Sequence, residues 1–119
     1  MMKRKVEDAL FAMGVPAADK GFDYIVDAVL MLDKFPKTSA MDLYSQISEK
    51  HNVTKGSAER GIRHAFFVCR RGRKQKEVNH YIGVECTSNK DSIYHLYRMV
   101  KREVEDEISN TEKNKAREL

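Results

Sequence analysis

The chain has no tryptophan, only two prolines, six glycines and two cysteines in 119 residues. Two isolated thiols, Cys69 and Cys86, cannot form the disulfide framework of a small secreted domain, so an apolar core has to hold the fold. No apolar run exceeds five residues and the mean hydropathy is -0.62. That excludes a transmembrane helix, which needs roughly 20 consecutive apolar positions. The basic start, Met1-Met2-Lys3-Arg4-Lys5, is not followed by the apolar segment of a secretory signal, and a cytoplasmic location is expected. A chain of 119 residues suits one domain with a single core and is short for a regulatory domain plus an output domain.

A net charge of +4 is spread unevenly. Residues 54–76 carry Lys55, Arg60, Arg63, Arg70, Arg71, Arg73, Lys74 and Lys76 against Glu59 alone, a local charge of +7, while the remainder sums to -3. A basic stripe on a slightly acidic domain is the electrostatic footprint of a phosphate-backbone binder. The plainer reading is a solvated helix face.

With strand signals poor and helix breakers few, the apolar spacing predicts helices almost throughout. The first covers about Val6 to Met13 and is ended by Gly14 and Pro16; the second runs from Ala17 to about Lys34 and is closed by Pro36. Phe22, Ile25, Val26, Val29 and Leu30 form the second helix's stripe at spacings of three and four. Ser39-Ala40-Met41-Asp42 has the capping-box pattern and opens a third helix to about Lys50. His51-Asn52-Val53 forms a tight polar turn, and Thr54 caps a fourth helix that ends near Arg71, where Gly72 can turn left-handed. One or two helical turns are expected between Arg73 and Thr87. Ser88 then caps a last helix with the stripe Ile93, Leu96, Tyr97, Val100, Val104 and Ile108. The domain is placed at 1–108, with 109–119 a polar, frayed tail.

The third and fourth helices and their short turn fit a helix-turn-helix, whose second helix enters the DNA major groove. Ala58, Ile62, Ala65, Phe66 and Cys69 share one face of the fourth helix, and Arg60, Arg63, His64, Phe67 and Arg71 another. Ser57 and Glu59 lie beside that second face. Small inner residues let this helix pack close to the preceding one, and Gly61 keeps the outer surface low. Arginine offers a bidentate fork to guanine, and glutamate accepts from cytosine. Arg70, Arg71, Arg73, Lys74 and Lys76 suit phosphates, which position without specifying sequence.

Other chemistries find little support. Four histidines and two cysteines lack the spacing of a zinc site, so no metal or other cofactor is expected. No paired carboxylates, nucleophile elbow or phosphate loop suggests an enzyme. The main alternative is a helical protein-interaction module that acts on a transcription or signalling partner without binding DNA, using Tyr94, Tyr97 and the acidic end of the last helix. A membrane-surface role conflicts with the need to pack the basic helix's apolar face.

A resemblance sharpens this reading. Gly14-Val15-Pro16-Ala17, Lys20-Gly21-Phe22, Tyr24-Ile25 and Ala28, followed by Leu43-Tyr44, Ile47, Asn52, Thr54 and Glu59-Arg60-Gly61-Ile62-Arg63-His64-Ala65, resemble a bacterial family in order and spacing. It is the C-terminal DNA-binding domain family of the sporulation master response regulator, and the likeness runs from about Leu10 to Val100. The string from Glu59 to Ala65 is its most specific part. The resemblance implies an all-α domain of about six helices around a central helix-turn-helix. It is of the winged-helix-like, response-regulator effector type without a β-wing, and binds double-stranded DNA to control transcription. It implies base reading by Glu59 and Arg60 and places Arg63 and His64 at the DNA interface, with phosphate contacts. Ser57, Arg70, Arg71 and Lys74 complete the expected interface. It further implies a homodimer on tandem sites and a contact with RNA polymerase, and it leaves the phosphoacceptor receiver outside a chain of this length.

This sequence departs from the family pattern at four places. Ser57 stands where an arginine is frequent, and Arg70 where a tryptophan is usual. Arg71-Gly72-Arg73-Lys74-Gln75-Lys76 is far more basic than the family's polymerase-contacting segment. Glu103, Glu105, Asp106 and Glu107 also extend beyond the pattern.

Overall fold

A computed structural model describes residues 1–85 and 88–118. Cys86, one of the two isolated thiols, lies outside them. Six helices follow one another: α1 (Met2–Ala12), α2 (Lys20–Lys34), α3 (Ala40–His51), α4 (Lys55–Arg70), α5 (Gln75–Ile82) and α6 (Asn89–Glu118). No strand occurs among the described residues, and the fold is all-α.

Local signals fix most of the boundaries. Gly14 has φ +87°, and the Val15 and Gly14 amides donate to the Leu10 and Phe11 carbonyls at 2.9 and 3.0 Å. This is the Schellman ending of α1, with Val15 and Leu10 both buried beneath it. The α3–α4 turn works the same way. Asn52 takes a left-handed φ of 54°, one of the few non-glycine side chains that tolerate it, and the Val53 amide donates to the Ser48 carbonyl at 3.1 Å. Ser39, Thr54 and Ser88 each accept an amide three residues on, from Asp42, Ser57 and Asp91, and so open α3, α4 and α6.

Other expectations change. α1 begins at Met2, not near Val6. α2 begins at Lys20, not Ala17, because the Asp19 carboxylate takes the Gly21 amide at 2.9 Å and leaves Pro16–Ala18 in a turn. Gly72 does not turn left-handed: Arg71, in the right-handed region, is the C-cap of α4. Helix α6 runs through the polar tail to Glu118, and Ile108, expected in its stripe, is exposed.

Helix α2 sits at the centre, packed on α1, α3, α4 and α6. It therefore buries more than one stripe: Tyr24, Ala28 and Leu32 join Phe22, Ile25, Val26 and Val29 inside. Ile93, Leu96, Tyr97 and Val100 of α6 enter the same core. Tyr97 is buried, and the Tyr94 hydroxyl donates to the Thr38 carbonyl at 2.9 Å, so both rings close this domain's own fold. Helix α5 is pinned to α6 by the Tyr81 hydroxyl donating to Glu103 at 2.8 Å. The radius of gyration, 15.1 Å, exceeds the roughly 13–14 Å of a compact chain of this length. The excess comes from α6, whose thirty residues span about 45 Å.

Candidate nucleic-acid interface

Helix α4 is held from three sides before any ligand arrives. Its inner face, Ala58, Ile62, Ala65, Phe66 and Cys69, is buried as the spacing predicts. Its closest neighbour, however, is α2 rather than α3. A Cβ placed on Gly21 would lie 2.3 Å from the Gly61 carbonyl oxygen, and one on Gly61 would lie 2.9 Å from the Tyr24 ring. Gly61 therefore serves a helix crossing and does not lower the outer surface. From the third side, Asn89 at the start of α6 donates its amide to the Glu59 carbonyl at 3.0 Å and to the Tyr44 hydroxyl at 3.2 Å. One side chain thus ties α3, α4 and α6 together.

The C-terminal end of α4 is anchored equally well. The Gln75 amide donates to the Arg70 and Gly72 carbonyls at 2.7 and 2.6 Å, which closes the end of the helix. The Arg70 guanidinium turns inward and donates to the carbonyls of Gly83 at 2.8 Å and Ile82 at 3.3 Å, and to the Ser92 hydroxyl at 3.1 Å. Ser92 is the one buried polar residue among those described. Arg70, expected among the phosphate contacts, instead bonds the last carbonyls of α5 and the first turns of α6. Burial pushes the Cys69 thiol up to about 11, so it stays protonated and acts as a small core group.

The other expected residues share the outer surface of α4 or the turn after it. Arg60, Arg63, His64, Phe67 and Arg71 are exposed along the helix, and Ser57 is half-buried in its first turn. Thr54, Ser57 and Arg60 form a chain of contacts there: the Thr54 hydroxyl donates to Ser57 at 3.0 Å, and Arg60 reaches the same hydroxyl at 3.4 Å. Glu59 lies toward one flank. It accepts from Arg63 at 2.8 Å and lines a shallow concavity with Tyr44, Lys55, Asn89 and Lys90. Arg60, Arg71, Arg73, Lys74 and Lys76 form no ion pair among the described residues, so their charge is unneutralised. Lys74 is exposed just beyond α4, and its stem comes near Gly14 in the α1–α2 connection.

Sequence reasoning missed Asn89, Gln75 and Tyr44, because each acts through backbone groups or partners on other helices. No group of three His, Cys, Asp or Glu residues among those described stands close enough to hold a metal ion. The histidines are dispersed: His51 pairs with Asp27, His80 lies 3.7 Å from Glu103, and His95 bonds the Tyr81 carbonyl.

A rigidly seated second helix of a helix-turn-helix, with a cationic outer face, is the arrangement by which such folds meet the major groove. The family model described as "Sporulation initiation factor Spo0A C terminal" matches residues 6–104, nearly the whole helical body including α4 and its supports. The chain belongs to this family, the DNA-binding effector domains of sporulation response regulators.

Proposed function

We propose that the chain is a sequence-specific, duplex-DNA-binding transcription regulator that places α4 in the major groove. The observation that carries this reading is the exposed cationic surface of α4 and the turn after it, on a helix whose opposite face is committed to the core. Arg60, Arg71, Arg73 and Lys74 have no ion-pair partner there among the described residues. Glu59 and Arg60 lie in the N-terminal half of α4, the part of a recognition helix that first meets base edges. Arg60 offers its fork to guanine, and Glu59 accepts from cytosine once Arg63 turns to a phosphate. Ser57, Arg63, His64, Arg71 and Lys74 hold the backbone, while Arg70 acts from behind by fixing α5 and α6. The basic segment 71–76 is assigned to phosphates rather than to a polymerase contact. Two copies on tandem sites would extend the same interface. Tyr94 and Tyr97 are engaged inside the fold, which leaves the protein-interaction alternative only the exposed acidic end of α6.

The test is selection of binding sites from random duplexes, followed by salt titration. Arg60→Ala is expected to lose about 1–3 kcal/mol on the selected site and far less on random DNA. Equal losses on both would overturn base reading. Lys74→Ala is expected to weaken both and to reduce the salt slope by about one unit. Absence of DNA affinity at low salt would overturn the whole reading.

A further inference from the structure

The outer face of α4 carries one residue that a phosphate-binding surface does not require. Phe67 is 54% exposed, with Arg63, His64 and Arg71 around it on the same face. The Arg71 guanidinium lies over its ring, 4.8 Å from the centroid, and just over half of the residue's surface stays open to solvent. Leaving so large an apolar surface in water gives the domain nothing, and the cationic surroundings disfavour an apolar or cationic partner there. The occupant that fits carries negative charge on both sides of a small apolar projection. The major-groove edge of a thymine has this character, with a 5-methyl group between phosphate-lined walls.

Resting on the proposed DNA-binding reading, we infer that Phe67 is a specificity-determining residue that packs on a thymine 5-methyl group, with Arg71 holding the ring from above. Phe67 follows Arg60 by seven residues, so both lie on one helix face about 10.5 Å apart along the axis. That separation places the thymine at a different base pair from the one Arg60 reads. Arginine stacked on the ring restricts its rotation and keeps its own charge directed at the adjoining backbone.

The experiment substitutes deoxyuridine for each thymine of the selected site in turn, which removes one methyl group and leaves the pairing intact. Wild-type protein is expected to lose about fourfold in affinity at one thymine, the value of one methyl-sized apolar contact. Phe67→Ala is expected to bind the intact site less tightly and to show no loss on that same replacement. Phe67→Leu, which keeps apolar surface, is expected to retain part of it. Thermal melting of both variants should stay within a few degrees of wild type, since the ring is half exposed and its contact with Arg71 contributes only about 0.5–1 kcal/mol. If every deoxyuridine replacement affects Phe67→Ala and wild type equally, the inference is overturned, while site selection and the Arg60→Ala loss would still uphold DNA reading. If wild-type protein selects no site, both fail together.

Discussion

Arg70 and Arg71 are neighbours in the sequence and opposites in the fold. Charge counting put both in one basic stripe, but Arg71 lies over Phe67 at the surface and Arg70 bonds Ile82, Gly83 and Ser92. Those partners are 12 to 22 residues away along the chain, so no local pattern could announce them. Hydrogen bonds from a charged donor contribute about 1.5–3 kcal/mol, and removing the donor orphans a buried hydroxyl. Arg70→Ala is therefore expected to lower stability by an amount in that range while leaving the salt slope of DNA binding unchanged. Denaturant unfolding and a salt titration check it together. A lowered slope with unchanged stability would return Arg70 to the phosphate contacts. Residues whose roles are local were legible: Ser39, Thr54 and Ser88 cap as read, because a cap needs only the next turn of its own helix.

Between helices, the decisive feature is the α2–α4 crossing at Gly21 and Gly61. Sequence periodicity identified the buried face of α4 because that face repeats within one helix. Periodicity does not identify which helix covers the face, and on that basis alone Gly61 reads as a surface feature. Alanine is the better helix former by about 1 kcal/mol, so a helical glycine with open space around it should gain on replacement. At Gly21 the added carbon would meet a backbone oxygen at 2.3 Å, which yields only if α4 itself shifts. Gly21→Ala is expected to destabilise by about 2 kcal/mol or more, net of propensity. At Gly56 the nearest atom is the mobile end of Arg60, at 3.1 Å, so Gly56→Ala is expected to be neutral or slightly stabilising. Thermal melts of the pair decide the matter: equal behaviour would mean that the crossing is looser than drawn. The eight residues of α5 were the least legible element, since only Val78 and Ile82 are buried and two positions define no periodicity.

For the molecule as a whole, alkaline pH is the informative variable. Burial raises Cys69 from 9.0 to about 11, and burial with the bond to Glu103 raises Tyr81 from 10.0 to about 12. The unfolded chain releases both protons first, so the stability they contribute is intact below pH 9 and declines as pH climbs toward 11 and 12. The melting temperature is expected to fall over that window, and Cys69→Ala should flatten the part between 9 and 11. An unchanged profile in that variant would show that the thiol is not the source. The single helix that spans the fold has a different consequence. Asn89, at one end of α6, grips α4, while Glu103 to Glu112 lie about 21 to 35 Å further along the same rod. Positive charge is gathered at the end bearing α4. These acids are flanked by Lys101, Arg102, Lys113 and Lys115, and Glu107 pairs with Lys5 at 2.7 Å, so the far end is close to neutral and the net positive charge sits off-centre. Near a polyanion such a body feels a torque before it makes contact, and it arrives with the end bearing α4 already turned forward.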